Sequence, residues 1–92
     1  MKTATLNLIA PVVHLNGTGR QGLASQYEEV GAALDEAVRT LVTNGPHGRD
    51  YYPLGDGAYS EAREQHLSRV VRVQSVVDEI HALYQSLYEA GR

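Results

Sequence analysis

The tripeptide Asn44-Gly45-Pro46 divides this chain into two long segments whose apolar residues recur with a helical period. An asparagine or glycine commonly ends a helix in a left-handed conformation, and a proline cannot continue one. We therefore predict a mainly α protein, a long antiparallel helical hairpin with an extended N-terminal arm, forming one domain over residues 1–92. Its predicted parts are the arm at 1–15, a first helix at 19–43, a loop at 44–55 and a second helix at 56–90.

The first predicted helix has one apolar face, formed by Leu23, Tyr27, Val30, Leu34, Val38 and Leu41. Thr18 and Gln21 have the spacing of an N-terminal capping box. Asp35 and Arg39 are spaced as an i,i+4 ion pair on the outer face. Gly31 lies beside the apolar face, and because a helical glycine costs about 1 kcal/mol relative to alanine, it predicts close packing of the second helix there.

The second predicted helix, for which Asp56 and Ser60 are candidate N-caps, carries a wider apolar surface. Its apolar stripe consists of Tyr59, Ala62, His66, Val70, Val73, Val77, Ile80, Tyr84 and Leu87. Four further residues widen the stripe, namely Val71, Val76, Leu83 and Tyr88. Such a broad arc requires more than one packing neighbour. At 1.5 Å per residue the second helix, ~50 Å, also overhangs the first, ~37 Å. Both features predict an oligomer.

The arm at residues 1–15 favours extended backbone because it is rich in threonine, valine, leucine and isoleucine. Pro11 excludes a continuous helix and would interrupt a central strand. A lone strand is not stable by itself, so we expect the arm to dock on its own helices or on a neighbouring subunit.

Composition narrows the classes of function. The chain has 92 residues, 42% hydrophobic, with no cysteine and a formal net charge of -3. A nucleic-acid polymer is therefore not an expected partner, since that role needs a basic surface. No apolar run is long enough to span a membrane, so we expect a cytoplasmic protein without a membrane partner. The four histidines show no metal-binding spacing, and we expect no metal and no cofactor.

The loop after the break carries the densest chemistry. Arg49 offers a planar guanidinium that can hold a phosphate through two parallel hydrogen bonds. Asp50 can accept from ribose hydroxyls, and Tyr51 or Tyr52 can stack on a base. These four residues predict a nucleotide site. The alternative is structural: Arg49 and Asp50 satisfy the loop and the helix ends, while the tyrosines close the hairpin.

Two further groups of residues are candidate ligand contacts. Asn16, Gly17 and Thr18 form a turn before a helix N-terminus, where amides and the helix dipole attract anions; the alternative is an ordinary cap. Arg63 and His66 belong to a ridge at i+3 steps that continues through two more arginines on the second helix. The alternatives there are a solvated face paired with acidic residues of the first helix, and a hydrogen-bonded core histidine.

Hairpin geometry separates these groups. The simplest antiparallel pairing places Leu41 near Tyr59 and Leu23 near Val77. The Asn16 turn and the Arg49 loop then lie at opposite ends, roughly 35 Å apart by helical rise. If both contact one ligand, different subunits must supply them, as an antiparallel dimer or a closed ring would.

The pattern His14-Leu15-Asn16-Gly17-Thr18, then a helix, then Pro46-His47-Gly48-Arg49-Asp50-Tyr51-Tyr52 and a long arginine-rich helix, resembles a group of small uncharacterised helical proteins encoded by bacteriophages. The resemblance covers about residues 12–88. Small helical oligomeric phage proteins include sponges, which bind the nucleotide second messengers of bacterial immunity without cleaving them. The similarity to sponges lies in size, helix content and acidic charge.

The resemblance implies a non-enzymatic phage protein in the cytoplasm of an infected bacterial cell. We expect it to sequester a nucleotide-derived immune signal, of the cyclic nucleotide or ADP-ribose type, at interfaces of a homo-oligomer and so to inhibit anti-phage defence. The main alternative is a structural or adaptor protein of the phage particle, or an inhibitor that binds a host protein. A third hypothesis is an enzyme acting on a phosphate ester, with His47 or His66 as general base.

Overall fold

A computed structural model describes residues 7–89 of the chain. Helix α1 spans Arg20–Thr43 and helix α2 spans Ala58–Glu89, with two short 3-10 helices, Gly48–Asp50 and Tyr52–Leu54, in the loop between them. The molecule measures 62 × 25 × 16 Å, the shape of two helices side by side. The predicted mainly α fold with two long helices is confirmed, and no strand forms within residues 7–89. None of the described helices is apolar over a length that would cross a bilayer.

Two hydrogen bonds between the helices establish their antiparallel register. At one end Arg20 Nε donates to the carbonyl of Leu87 at 2.9 Å. At the other end His66 Nε2 lies 2.7 Å from the carbonyl oxygen of Leu41. The predicted pairing of Leu41 with Tyr59 is therefore wrong by seven residues, about two helical turns. The first turns of α2 run past the end of α1, because the loop between them has a structure of its own.

That loop folds back onto the overhanging turns of α2. The rings of Tyr51 and Tyr59 lie 6.4 Å apart and are tilted by 45°. Tyr51 and Leu54 also form a shallow depression with Ala58 and Ala62 of α2. The overhang predicted from the helix lengths is thus partly covered from within the chain, which weakens it as an argument for oligomerisation.

The two ends of α1 are capped by other groups than those that the sequence pattern predicted. Its N-cap is Gly19, with no side-chain hydrogen bond, so the predicted capping box of Thr18 and Gln21 is absent. Its C-cap is Asn44, with φ at -111°, and not a left-handed residue. Both the backbone amide and the side-chain amide of Asn44 donate to the carbonyl of Thr40, at 3.0 Å and 2.9 Å. The asparagine thereby provides donors for a carbonyl at the end of the helix, as a left-handed turn does at the ends of other helices.

The start of α2 is set by glycine. Gly55 and Gly57 have φ values of 107° and 88°, a region that favours glycine. Because Gly57 leaves helical geometry, α2 begins at Ala58, two residues later than predicted. Asp56 and Ser60, the two candidate caps, flank this start. On α1 the predicted ion pair of Arg39 is also displaced, since Arg39 binds Glu36 at i,i+3 in place of Asp35.

The core of the hairpin is small. Within residues 7–89 the buried apolar side chains are Ala24, Val77 and Leu87. Several large apolar side chains remain more than two-fifths exposed, among them Val30, Val42, Leu67, Val71, Val76 and Tyr88. In the described part of the arm, Leu8 and Val13 are half-buried, whereas Ile9 and Leu15 are 95% and 97% exposed. Residues 1–6 of the predicted arm lie outside the described range.

Gly31 is buried between the helices, but it does not make the close approach that the sequence predicted. A Cβ atom at this position would lie 3.9 Å from Ile80 Cγ2, an ordinary van der Waals contact. The space therefore accommodates alanine.

We predict that Gly31→Ala raises the free energy of unfolding by about 0.5–1 kcal/mol, because alanine has the higher helix propensity and a less flexible unfolded chain. Urea unfolding followed by circular dichroism measures the change. The neighbouring exposed residue provides the matched control, and Ala32→Gly is expected to lower the free energy of unfolding by a similar amount. A loss of stability in Gly31→Ala would contradict the helix separation described here.

Candidate functional site

A groove of 240 Å³ opens where the end of α1 meets α2 and the loop begins. Its walls come from both helices and the break, namely Val42, Gly45, Pro46, Tyr59, Arg63, His66, Leu67 and Val70. The Asn-Gly-Pro break thus forms one wall of the groove besides ending α1. Arg63 and His66, two of the predicted ligand contacts, lie in this one groove.

His66 is held in place by the end of α1. The last four carbonyls of a helix lack a partner within it, and that of Leu41 belongs to this set. A carbonyl oxygen only accepts, so the Nε2 atom of His66, 2.7 Å away, carries the proton. This contact agrees with the structural alternative given for His66 in the sequence analysis, a hydrogen-bonded histidine on the apolar stripe. Gly45 allows it, because a Cβ there would lie 3.3 Å from His66 Cδ2.

The other walls supply a cation, an aromatic ring and aliphatic surface. Arg63 is exposed and makes no ion pair within residues 7–89. Tyr59 is 38% exposed and Leu67 47% exposed, so both retain surface for a further contact. Sequence reasoning placed Tyr59 on the apolar stripe and did not identify it as a site residue. Its position one turn before Arg63, beside the chemically dense loop, was the only indication available.

The predicted loop residues lie next to this groove and do not line it. Tyr51 is half-buried beside Tyr59, as the structural alternative proposed. Arg49, Asp50 and Tyr52 are exposed, and the backbone amide of Arg49 donates to His47 Nδ1 at 3.2 Å. Three of the four loop candidates therefore present their side chains to solvent at the rim of the hairpin end.

The predicted turn of Asn16, Gly17 and Thr18 lies at the opposite end of the hairpin. It is closed by the amide of Gly17, which donates to the carbonyl of His14 at 3.2 Å. Arg20, the first residue of α1, donates through Nε to the carbonyl of Leu87. The 24 residues of α1 separate this turn from the groove, a distance of roughly 36 Å. One protomer does not bring the two together.

A second, larger groove of 370 Å³ runs between the middle parts of the helices. Its lining is Tyr27, Glu28, Gly31, Ala32, Asp35, Ile80, His81 and Tyr84. Two carboxylates, Glu28 and Asp35, give this groove an acidic rim. A phosphate group is disfavoured there by like charge, so size alone does not make it the better nucleotide site.

Tyr84 links the two helices at the edge of the acidic groove. Its hydroxyl donates to Glu28 Oε2 at 3.1 Å, and its ring lies 5.4 Å from that of Tyr88. Hydrogen bonding raises the pKa of Tyr84 from 10.0 to about 12. The contact with Tyr88 contributes most to this rise, and the contact with Glu28 contributes next. The neutral phenol is the form that these contacts favour.

We predict that the stabilisation by Tyr84 is fully present below pH 10 and is lost as the pH rises towards about 12, because the pKa of the folded state is raised above the unfolded value of 10.0. Urea unfolding at a series of pH values measures this window. Tyr84→Phe is expected to flatten the dependence, whereas Tyr52→Phe, which removes an exposed phenol from the loop, serves as control. An unchanged slope in Tyr84→Phe would contradict the assignment.

We predict that His66→Ala lowers the free energy of unfolding by about 1–2 kcal/mol, because it leaves the Leu41 carbonyl without its partner and removes a half-buried ring. Thermal and urea unfolding measure the loss. His81→Ala removes an exposed histidine from the same helix and is expected to change stability by less than about 0.5 kcal/mol. Equal effects of the two changes would argue against His66 as the residue that sets the register.

Comparisons with known proteins find no matching family model, no matching curated protein and no matching solved structure. The predicted phage origin and the resemblance to sponges stay predictions. The geometry of the groove carries the functional argument.

Proposed function

We propose that this protein is a non-enzymatic binding protein that sequesters a nucleotide-derived immune signal, of the cyclic nucleotide or ADP-ribose type, at subunit interfaces in an infected bacterial cell, and so inhibits anti-phage defence. The observation that carries the proposal is the groove at the end of α1. It combines a guanidinium, an imidazole, a phenol ring and aliphatic side chains.

Each wall suits one part of a nucleotide. Arg63, which makes no ion pair within residues 7–89, supplies two parallel N–H donors for a phosphate. Tyr59 offers a ring face on which a base can stack, a contact that does not depend on base identity. Leu67 and Val42 provide apolar surface for the edge of a sugar or base.

The size of the groove supports a site shared between subunits. Small-molecule sites are usually about 300–1,000 Å³ and enclose most of the ligand. The groove measures 240 Å³ and is flanked by exposed apolar side chains, so one protomer supplies part of such a site. In an antiparallel pair the turn of Asn16, Gly17 and Thr18 of a second subunit adds backbone amides, while Arg49 and Tyr52 extend the rim.

Binding without turnover is the simplest chemistry for these residues. His66 is the one imidazole among the groove residues, and its Nε2–H donates to the Leu41 carbonyl, a contact that fixes the ring and leaves Nδ1 unprotonated. The lining of this groove contains no carboxylate, serine, threonine or cysteine side chain that could act together with that nitrogen. We therefore assign His66 a positioning role and assign Arg63 the contact with the ligand.

The second candidate function is a structural or adaptor protein of a phage particle, or an inhibitor that binds a host protein. It is favoured by the exposed apolar side chains on α2, such as Val71 and Tyr88, 64% and 53% exposed. Exposed apolar surface of this kind marks protein interfaces in general, which include contacts between copies of one chain.

We predict that Arg63→Ala weakens binding of a matching nucleotide at least roughly tenfold, because a charge-assisted hydrogen bond to phosphate contributes about 1.5–3 kcal/mol. Calorimetry with a panel of cyclic mononucleotides, cyclic dinucleotides and ADP-ribose derivatives identifies the ligand. Chromatography of the recovered ligand tests for turnover, and intact ligand is expected.

Arg39→Ala is the matched control, since Arg39 pairs with Glu36 on the exposed side of α1 and does not line the groove. It is expected to bind like the unchanged protein. No heat of binding across the whole panel, or an equal loss in both variants, would overturn the proposal. Capture of a defined host protein that depends on Val71 would favour the second candidate.

A further inference from the structure

Five residues of α2 form a stripe along one side of the helix, namely Arg69, Arg72, Val76, Glu79 and Leu83. We call these five residues the α2 stripe. Their steps of three, four, three and four positions place them on a single helical face. The basic residues occupy the half nearer the loop, and the acidic residue occupies the other half.

Within residues 7–89, the charged residues of the α2 stripe make no ion pair. The ion pair of Arg39 with Glu36 on α1 involves none of them. Arg72 donates through Nε to the carbonyl of Ser68 at 3.3 Å, a contact within its own helix. Glu79 is half-buried and makes no ion pair within residues 7–89.

Arg72 and Glu79 are not paired with each other on α2. Seven residues separate them by about 10.5 Å of helix, and no ion pair of the described residues joins them. Between them lies Val76, 41% exposed, four residues after Arg72 and three before Glu79. The order along the stripe is therefore positive, apolar, negative, with the apolar residue near the middle.

We infer that a second copy of this chain docks antiparallel on the α2 stripe, about a twofold axis near Val76. Reversal of direction brings Arg72 of one protomer level with the partner's Glu79, and the reverse contact follows by symmetry. The two Val76 side chains meet at the axis. A parallel arrangement would instead place like charges opposite each other, which is unfavourable.

The small core gives this pairing its driving force. The described hairpin buries three apolar side chains completely, so a large part of its apolar surface is still available for burial. Burial contributes about 25 cal/mol per Å² removed from water. The charge pattern sets the direction and register of the pair, while the apolar surface supplies most of the free energy.

The pairing has a consequence for the proposed ligand site. Leu87 lies eight residues beyond Glu79 and is therefore level with the partner's Glu64, next to its Arg63. Arg20 ties the start of α1 to Leu87. The turn of Asn16, Gly17 and Thr18 thus reaches the level of the partner's groove. This consequence rests on the proposed function, whereas the α2 pairing requires no ligand.

A charge-swap series tests the pairing. Sedimentation equilibrium of the full chain without ligand measures self-association, and circular dichroism checks that each variant is helical. Arg72→Glu and Glu79→Arg are each expected to weaken self-association roughly tenfold, because each creates two like-charge contacts by symmetry. The double variant Arg72→Glu/Glu79→Arg is expected to restore it. The control Glu29→Arg makes the same charge change as Glu79→Arg, but at an exposed position of α1, and is expected to leave self-association unchanged.

A chain that is monomeric at all concentrations would overturn the pairing, as would single variants that associate normally or a double variant that fails to recover. Val76→Asp gives a second measure, because it places two like charges at the axis while changing a side chain already partly in solvent. Normal association of Val76→Asp would also count against it. Nucleotide calorimetry on the same samples reports separately on the proposed function.

Discussion

The hydrogen bond from His66 to the Leu41 carbonyl fixes the register of the two helices at the loop end, as the contact of Arg20 with Leu87 does at the other end. It satisfies an acceptor that the end of α1 leaves without a partner, and it does so from a residue on the apolar stripe of α2. The register that follows leaves the first two turns of α2 beyond α1. The loop packs on those turns through Tyr51 and Tyr59. The groove that contains Arg63 forms between the end of α1 and these first turns of α2. The position of the candidate site is thus a consequence of how one helix end is capped.

A two-helix layer has too little interior to bury the apolar residues of this chain. Ala24, Val77 and Leu87 are enclosed, while Val30, Val76 and Leu67 remain partly in solvent. A small domain with so little core gains stability when another surface covers it. The proposed self-association and the proposed ligand binding between subunits would each bury apolar surface that the isolated hairpin leaves exposed.

Charge divides the surface into regions with different chemistry. The groove at the loop end contains Arg63, whereas the larger groove between the helix centres is bordered by Glu28 and Asp35. The larger cavity is the less suitable one for a phosphate, because its carboxylates repel anions. The separation of charge along α2 is likewise the basis of the proposed antiparallel pairing. The net charge of -3 therefore does not describe the local charge at either place.

The sequence by itself determined the two helices, the end of α1 and the presence of a loop after it, because helical periodicity and the Asn-Gly-Pro break are local properties. It also identified Arg63 and His66 as candidates from their spacing on one helix. Only the tertiary structure decided the register, the cap contributed by His66 and the inclusion of Tyr59 in the groove. These depend on how far a folded loop displaces one helix along the other, and no local pattern encodes that distance.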